Sequence, residues 1–327
     1  MGFSTWPFGP NESDMAETYS FLSQNADIYS EQIDYKIPWN TLINNTAFPD
    51  EFITNIDYKI SKRITENKLL LSVSLLNTDR NDLLEDYDGN IPSYTAMNDQ
   101  IIEDAYVKYL EYLIGKFNPD YLVFAMEVNE LRINKPDKWE QYKLLAANIH
   151  SRIKAEYPDL PIAESFTLHN YFNPDVSDPD AYISEITDYI NQNNDFAAIS
   201  FYPYFKGFHT KEDFQLAFDF LNSHVTIPIA FVETSDLAET LKIRSYKLKI
   251  ESDVCEQKDY LETLMLNAYN NDYEFIIWWA YRDYDELWKT LPSKTKDLAK
   301  LWRDTGLLDE DGVERPAFEL WKSLLDK

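Results

Sequence analysis

The sequence predicts a single α/β domain folded as one (β/α)8 TIM barrel. Eight short apolar runs recur along the 327 residues, each followed by a stretch of helical period. The runs are apolar on both faces, the pattern of parallel strands covered by helices. Only 7 residues are Gly, and the Gly-rich first turn that marks an open doubly wound sheet is missing. Length alone allows one large barrel or two medium domains. With no Pro/Ser-rich linker and no shift in composition, the eight units assign residues 1–327 to one domain.

The first strand is read at residues 2–6 and its helix at 13–24. The second strand, 27–35, is polar for a strand, and its helix is placed at 50–67. LLLSVSL at 69–75 is the third strand, ahead of a long helix over 95–117. YLVFAMEV at 121–128 is the fourth, and its helix spans 138–157, with Asp137 and Glu140 at capping-box spacing. The fifth strand, 162–166, precedes a helix at 179–192. There Asp178 is the N-cap and Pro179 sits in the first turn, where a missing N–H costs nothing. The sixth unit pairs 197–201 with 211–223, and the seventh pairs 229–232 with 253–270. Residues 275–279 form the eighth strand. A last helix around 296–305 is expected to stop at Gly306.

Composition narrows the chemistry. The 57 Asp+Glu against 30 Lys+Arg give a formal charge of -27. That argues against nucleic acid and against anionic membrane surfaces as partners. No apolar run reaches the roughly 20 residues that span a bilayer. The 4 His (His150, His169, His209, His224) are scattered and there is 1 Cys, so zinc frameworks are absent; no metal and no cofactor is expected. Cys255, on a helical pattern, reads as a buried small hydrophobe. Met1-Gly2-Phe3-Ser4 is not a signal peptide, and a strand starts at once. The expectation is a secreted or periplasmic protein whose leader has been removed, with a cytoplasmic protein as the alternative. The oligomeric state is left open.

In such barrels the active site lies at the C-terminal ends of the strands. Strand four ends Glu127-Val128-Asn129-Glu130, strand six ends Phe201-Tyr202-Pro203-Tyr204, strand seven ends Val232-Glu233-Thr234, and strand eight ends Trp278-Trp279-Ala280. A carboxylate behind an apolar strand must be paired or neutralised, so two of them call for a reason. Glycosidic cleavage supplies one: an acid protonates the leaving oxygen while a second carboxylate attacks the sugar carbon or activates water. Strands four and seven stand across a closed barrel from one another, so both carboxylates can face one pocket.

The set Asn129-Glu130, Tyr202, Glu233 and Trp279 resembles the signature of glycoside hydrolase clan A, the retaining glycosidases built on (β/α)8 barrels. Phe201-Tyr202-Pro203-Tyr204 and Phe231-Val232-Glu233-Thr234 resemble the endo-β-1,4-galactanase family, glycoside hydrolase family 53. The resemblance runs from Trp6 to the closing Thr305-Gly306-Leu307-Leu308-Asp309. It implies Glu130 as general acid/base, Asn129 as partner of the sugar 2-hydroxyl, Glu233 as nucleophile, Tyr202 as its phenol partner, and Trp279 as a sugar platform. Many clan members carry Arg at the end of strand two. This chain has Asp34-Tyr35-Lys36 there, and a Lys does not reproduce a bidentate guanidinium.

Further strand-end residues are substrate-binding candidates: Trp6 and Phe8 after strand one, and His169 and Asn170 after strand five. Asn77, Asp79 and Arg80 after strand three read as a polar loop. Glu164 and Glu127 are expected to be buried partners of a barrel Lys or Arg. Alternation turns only one of Trp278 and Trp279 inward, and the motif selects Trp279. Asp86–Asn90 reads as a turn or a structural calcium loop. Lys242, Arg244, Lys247 and Lys249 make a basic island within 241–250, either a hairpin with a solvated face or a contact for an anionic glycan. The reading is a retaining glycoside hydrolase acting on O-glycosyl bonds of an oligosaccharide or polysaccharide. The aromatic supply around the cleft suggests endo action on a plant or algal polysaccharide. The alternative is a non-catalytic carbohydrate-binding barrel, which would lack one of the two glutamates.

Overall fold

A computed structural model describes residues 1–325. The strands are β1 (Gly2–Ser4), β2 (Ile28–Ile33), β3 (Lys68–Val73), β4 (Tyr121–Ala125), β5 (Ile162–Thr167), β6 (Ala197–Phe201), β7 (Ile229–Thr234), β8 (Leu241–Ile243), β9 (Leu248–Ile250) and β10 (Ile276–Trp278). Two-sided burial is the common feature of the barrel strands. Every residue of β5 and β6 is buried, and so are residues 69–73 of β3. Eight of the strands close into a barrel in the order β1-β10-β7-β6-β5-β4-β3-β2, a single (β/α)8 barrel, while β8 and β9 form a separate hairpin.

Backbone proximity groups the chain into two compact units, Glu31–Ala198 and Met1–Ser30 with Ile199–Lys327. In the first, β3, β4 and β5 run parallel, with Leu70 opposite Tyr121 and Leu122 opposite Ile162. The polar character of β2 is explained by Glu31, which is buried and meets Lys59 Nζ at 2.7 Å. Glu164, expected beside a Lys or Arg, instead accepts from the hydroxyls of Tyr142 and Tyr189 (2.8 Å for Tyr189). Burial pushes its carboxyl up to about 7, opposed by those two donors. The helix expected over 50–67 ends at Ser61, and Arg63 Nη1 then ties the connection to the carbonyls of Ile64 and Asn67. The helix expected at 138 begins at Pro136. Asp137 faces Lys135 Nζ at 3.3 Å rather than capping it. Residues 86–90 form a turn: Gly89 has φ +81, and Asp86 Oδ2 accepts the Asn40 N–H at 2.6 Å.

In the other unit, β1 pairs in parallel with both β2 and β10, Gly2 lying opposite Ile28 and Ile277. A Cβ on Gly2 would stand 1.7 Å from the Ile28 carbonyl oxygen, so only Gly permits this approach. The last helix of the sequence reading is shorter than expected. It spans Ser293–Ala299 and tightens into a 3-10 turn at Lys300–Trp302. Gly306 is not its end. Its N–H donates to Asp283 Oδ1 at 2.8 Å, and a Cβ there would lie 2.4 Å from the Asp283 nitrogen. Asp283 also receives two hydrogen bonds from Arg315, at 2.9 and 2.8 Å, with both side chains buried. A further helix, Pro316–Leu325, buries Ala317, Phe318 and Trp321, and the Trp321 indole donates to the Asn25 carbonyl at 2.9 Å. Cys255 is exposed, not buried: it sits in the first turn of Val254–Asn270, its N–H held by the Asp253 side chain at 2.8 Å. Among the described residues no helix is long and apolar enough to cross a membrane.

Candidate active site

The end of β4 builds one carboxylate site. The chain leaves the strand through Glu127, whose φ is +55, and enters a short helix, Asn129–Asn134. Glu130 is half-buried at its start. Its Oε1 accepts from the Thr167 hydroxyl at the end of β5 and from Asn170 Nδ2 at 2.7 Å. Burial pushes the Glu130 carboxyl above its ordinary value. The Thr167 and Asn170 donors oppose that rise, the nearby Glu127 charge adds to it, and Arg80 opposes it. His169 and Asn170 share the turn Leu168–Phe172, where His169 is buried and Asn170 half-buried.

Asn129, expected to meet a sugar 2-hydroxyl, is engaged by the protein itself. It is wholly buried. Its Nδ2 donates to the carbonyl and hydroxyl of Thr167 and to the Tyr182 hydroxyl, all at 3.1 Å, while its Oδ1 accepts the Thr167 N–H at 2.8 Å. Its polar atoms are thus used inside the protein, tying β4 to β5 and fixing the turn that carries Glu130.

Arg80 and Glu127 are a feature that sequence reading saw only in part. They form an ion pair at 2.8 Å, with Arg80 Nη1 also donating to the Asn77 carbonyl at 2.8 Å. Both have left-handed backbone, φ +47 and +55. Such strain in non-Gly residues clusters where a geometry is imposed for function. The polar loop expected at Asn77 and Asp79 is present, the Asp79 carbonyl accepting from Asn134 Nδ2 at 3.0 Å. Because the Glu127 charge raises Glu130, Glu127→Gln is expected to lower the Glu130 pKa and leave Arg80 to lower it further. If Glu130 acts as an acid, the alkaline limb of the activity profile then moves to lower pH. A limb unmoved in a pH–rate measurement would show that this pair does not set the proton on Glu130.

In the other unit, Glu233 on β7 is half-buried and its Oε1 accepts from the Tyr202 hydroxyl just past β6. Thr234 Oγ1 donates to the Phe201 carbonyl at 2.7 Å, locking the two strand ends. Tyr202 is buried in a cluster with Tyr204, Leu237, Leu241, Ile243, Trp279 and Ala280, against which Trp6, Phe205 and Trp302 pack. The Trp279 N–H donates to the Thr234 carbonyl at 2.8 Å, and its carbonyl accepts from the Ser4 hydroxyl. The Trp6 and Trp279 rings lie 5.2 Å apart. Trp278 turns the other way: it is wholly buried, its indole donates to the Thr305 carbonyl at 2.9 Å, and its ring is 6.0 Å from Tyr260. The indole N–H groups of Trp6, Trp279 and Trp302 have no hydrogen-bond partner among the described residues. All three donors are buried. Phe8 instead packs under the Arg282 guanidinium, 4.0 Å from its ring centre. Lys36, weighed as a stand-in for the strand-two Arg, lies 5.0 Å from the Tyr35 ring and 3.9 Å from the Glu85 carboxylate.

No protein-family model and no curated protein sequence matches the chain. Solved structures do match. A subfamily 18 member of glycoside hydrolase family 5 from Bifidobacterium longum subsp. longum, solved with Manβ1-4GlcNAc, aligns with a TM-score of 0.70 at 13% identity, covering 99% of this chain and 77% of that one. An exo-β-1,4-mannosidase from an Opitutaceae bacterium aligns with a TM-score of 0.68 at 10% identity over 99% of this chain, which spans 58% of the mannosidase. The family 53 catalytic domain of Ignisphaera aggregans gives 0.62 at 16% identity, covering 96% and 88%. The chain therefore has the same (β/α)8 barrel fold as these glycoside hydrolases.

Proposed function

We propose that the protein is a retaining glycoside hydrolase, one catalytic domain acting on O-glycosyl bonds of a polysaccharide. The observation that carries the reading is the contrast between two strand-end glutamates. Burial raises the Glu130 carboxyl above its ordinary value, the direction a general acid needs, while Glu233 accepts a hydrogen bond from the Tyr202 phenol. A pair so differentiated is what double displacement needs. Glu130 gives its proton to the departing glycosidic oxygen as Glu233 attacks the anomeric carbon. The resulting glycosyl–enzyme ester is then broken by a water whose proton Glu130 takes back. Trp279 and Trp6, whose rings lie 5.2 Å apart, are the candidate platform for the apolar side of a sugar. Asn129 acts by positioning, and Asn170 is the amide that stays beside the acid.

One solved neighbour is named an exo-β-1,4-mannosidase and another a family 53 catalytic domain, so β-linked mannan and galactan head the substrates to test. Incubation with a panel of plant and algal polysaccharides, read by reducing ends and product chain length, tests the reading and separates endo from exo action. No release from any β-linked glycan or activated aryl glycoside would sink it. Tyr202→Phe removes the donor to Glu233. A hydrogen bond to a charged group is worth about 1.5–3 kcal/mol, so kcat should fall about 10- to 100-fold with little change in KM. A rate close to wild type would deny Tyr202 that part.

A further inference from the structure

The hairpin inserted after β7 is not used by the proposed chemistry. Its strands pair antiparallel, with Leu241 opposite Ile250, Lys242 opposite Lys249, and Ile243 opposite Leu248. One face is apolar. Leu241 and Ile243 are buried in the cluster that holds Tyr202 and Trp279, with Leu248 and Ile250 packed against it. The hairpin is thus rooted in the same aromatic group that grips Glu233.

The other face is cationic and poorly neutralised. Lys242 and Lys249 stand directly opposite each other, an arrangement of like charges that destabilises a strand pair. Lys249 is relieved by Glu251. Lys242, Arg244 and Lys247 are exposed, and none has an ion-pair partner among the described residues. Lys300 adds its own charge, its Nζ donating to the Lys242 carbonyl at 2.9 Å. At about 3.3 Å per residue, Arg244 lies within roughly 10 Å of the buried Leu241. Tyr246, exposed at the tip, adds a ring. In a chain with 57 acidic residues, residues 241–250 hold four cations and no carboxylate of their own, with Glu251 beside Lys249 and Lys242, and Asp297 accepting from Ser245.

We infer that the β8–β9 hairpin is a binding wall for the anionic substituents, carboxylate or sulfate, of a glycan whose reacting sugar lies at Glu233. The inference rests on the proposed glycosidase reading and names its substrate class. A sugar chain satisfies both faces of the observation, aromatic rings at the root and cations at the tip.

The test is affinity electrophoresis of the full chain through gels containing polygalacturonate, a sulfated galactan or a neutral galactan. The variant Lys242→Gln/Arg244→Gln/Lys247→Gln is compared with Lys62→Gln/Lys258→Gln/Lys322→Gln, which makes the same change in net charge elsewhere. Wild type and the control triple should be retarded by at least one polyanion, and the hairpin variant should bind it about fivefold or more weakly, the difference shrinking as salt rises. Retardation by polygalacturonate assigns the site to carboxylate, retardation by the galactan sulfate assigns it to sulfate. Failure of both polyanions to retard wild type, or equal retardation of the hairpin variant, overturns the inference. Aryl glycoside hydrolysis is measured in parallel: its absence in wild type strikes at the glycosidase reading, while the gels report on the hairpin without turnover. Equal aryl glycoside rates in the three proteins also show that the hairpin variant is folded.

Discussion

Glu233→Ala is expected to lose at least about 10^4-fold in kcat on an aryl β-glycoside with a good leaving group, and to recover part of that rate when azide is added. Glu130→Ala is expected to lose about 10^2- to 10^4-fold, with azide again rescuing. The two rescues differ in stereochemistry. Without Glu233, azide attacks the substrate itself and the product anomer is inverted. Without Glu130, the ester to Glu233 still forms and azide displaces it, so the anomer is retained. Opposite anomers from the two variants, read by proton NMR of the glycosyl azides, establish which glutamate forms the covalent bond. Wild-type rates in either variant would end the assignment. In the intact protein the sign with pH follows from the acid role. Glu130 is needed protonated and its pKa is raised, so the rate is held above the ordinary carboxylate range and falls as pH climbs through the raised value.

The second large effect is on stability. Arg315 lies beneath the Gly306 turn, donating to both oxygens of Asp283, to the Gly306 carbonyl at 2.8 Å and to Glu239 at 2.9 Å. Burial drives the Asp283 carboxyl upward while the Arg315 charge pulls it back, and Asp283 in turn helps hold Arg315 above its ordinary value. Arg315→Met removes the cation and leaves a buried carboxylate to protonate or unfold. Breaking a buried pair in this way costs about 3–5 kcal/mol. A denaturant titration should show the unfolding free energy falling by that amount, with the midpoint moving to lower denaturant, and Asp283→Leu/Arg315→Met should regain most of it, because the stranded charge is gone. A single variant as stable as wild type would show that the pair holds nothing together.

Much of the barrel was legible because its strands are covered on both sides, which writes each as a short apolar run. The positions of Glu130 and Glu233 were legible for the same reason: each follows such a run directly. What escaped was the set of partners. Arg80 meets Glu127 across 47 residues of sequence, and nothing local marks a loop Arg as the neighbour of a strand-end Glu. Asn129 and Glu130 are adjacent, yet one is wholly buried and the other only half-buried. That choice is made by Thr167 and Tyr182, which lie 38 and 53 residues away. Asn170 reads from the sequence as a substrate-binding candidate, but its grip on Glu130 is a tertiary fact. The closing helix Pro316–Leu325 was missed although its apolar face is strong. No strand precedes it, so the strand–helix alternation that guided the reading had already run out.

The seam at β1 also has a consequence for how the chain is made. Gly2 and Phe3 find one neighbour in β2, but their other neighbours are Ile277 and Trp278 in β10. At about 5–20 residues per second, a ribosome needs roughly 15–55 s between the two sides of that seam. For that interval the first strand has an open edge, and its closing partner does not yet exist. Trp279, the residue next to the seam, and Trp6 beside it are therefore among the last groups to reach their places. A chain truncated before residue 276 would carry both glutamates and still have no closed barrel in which to use them.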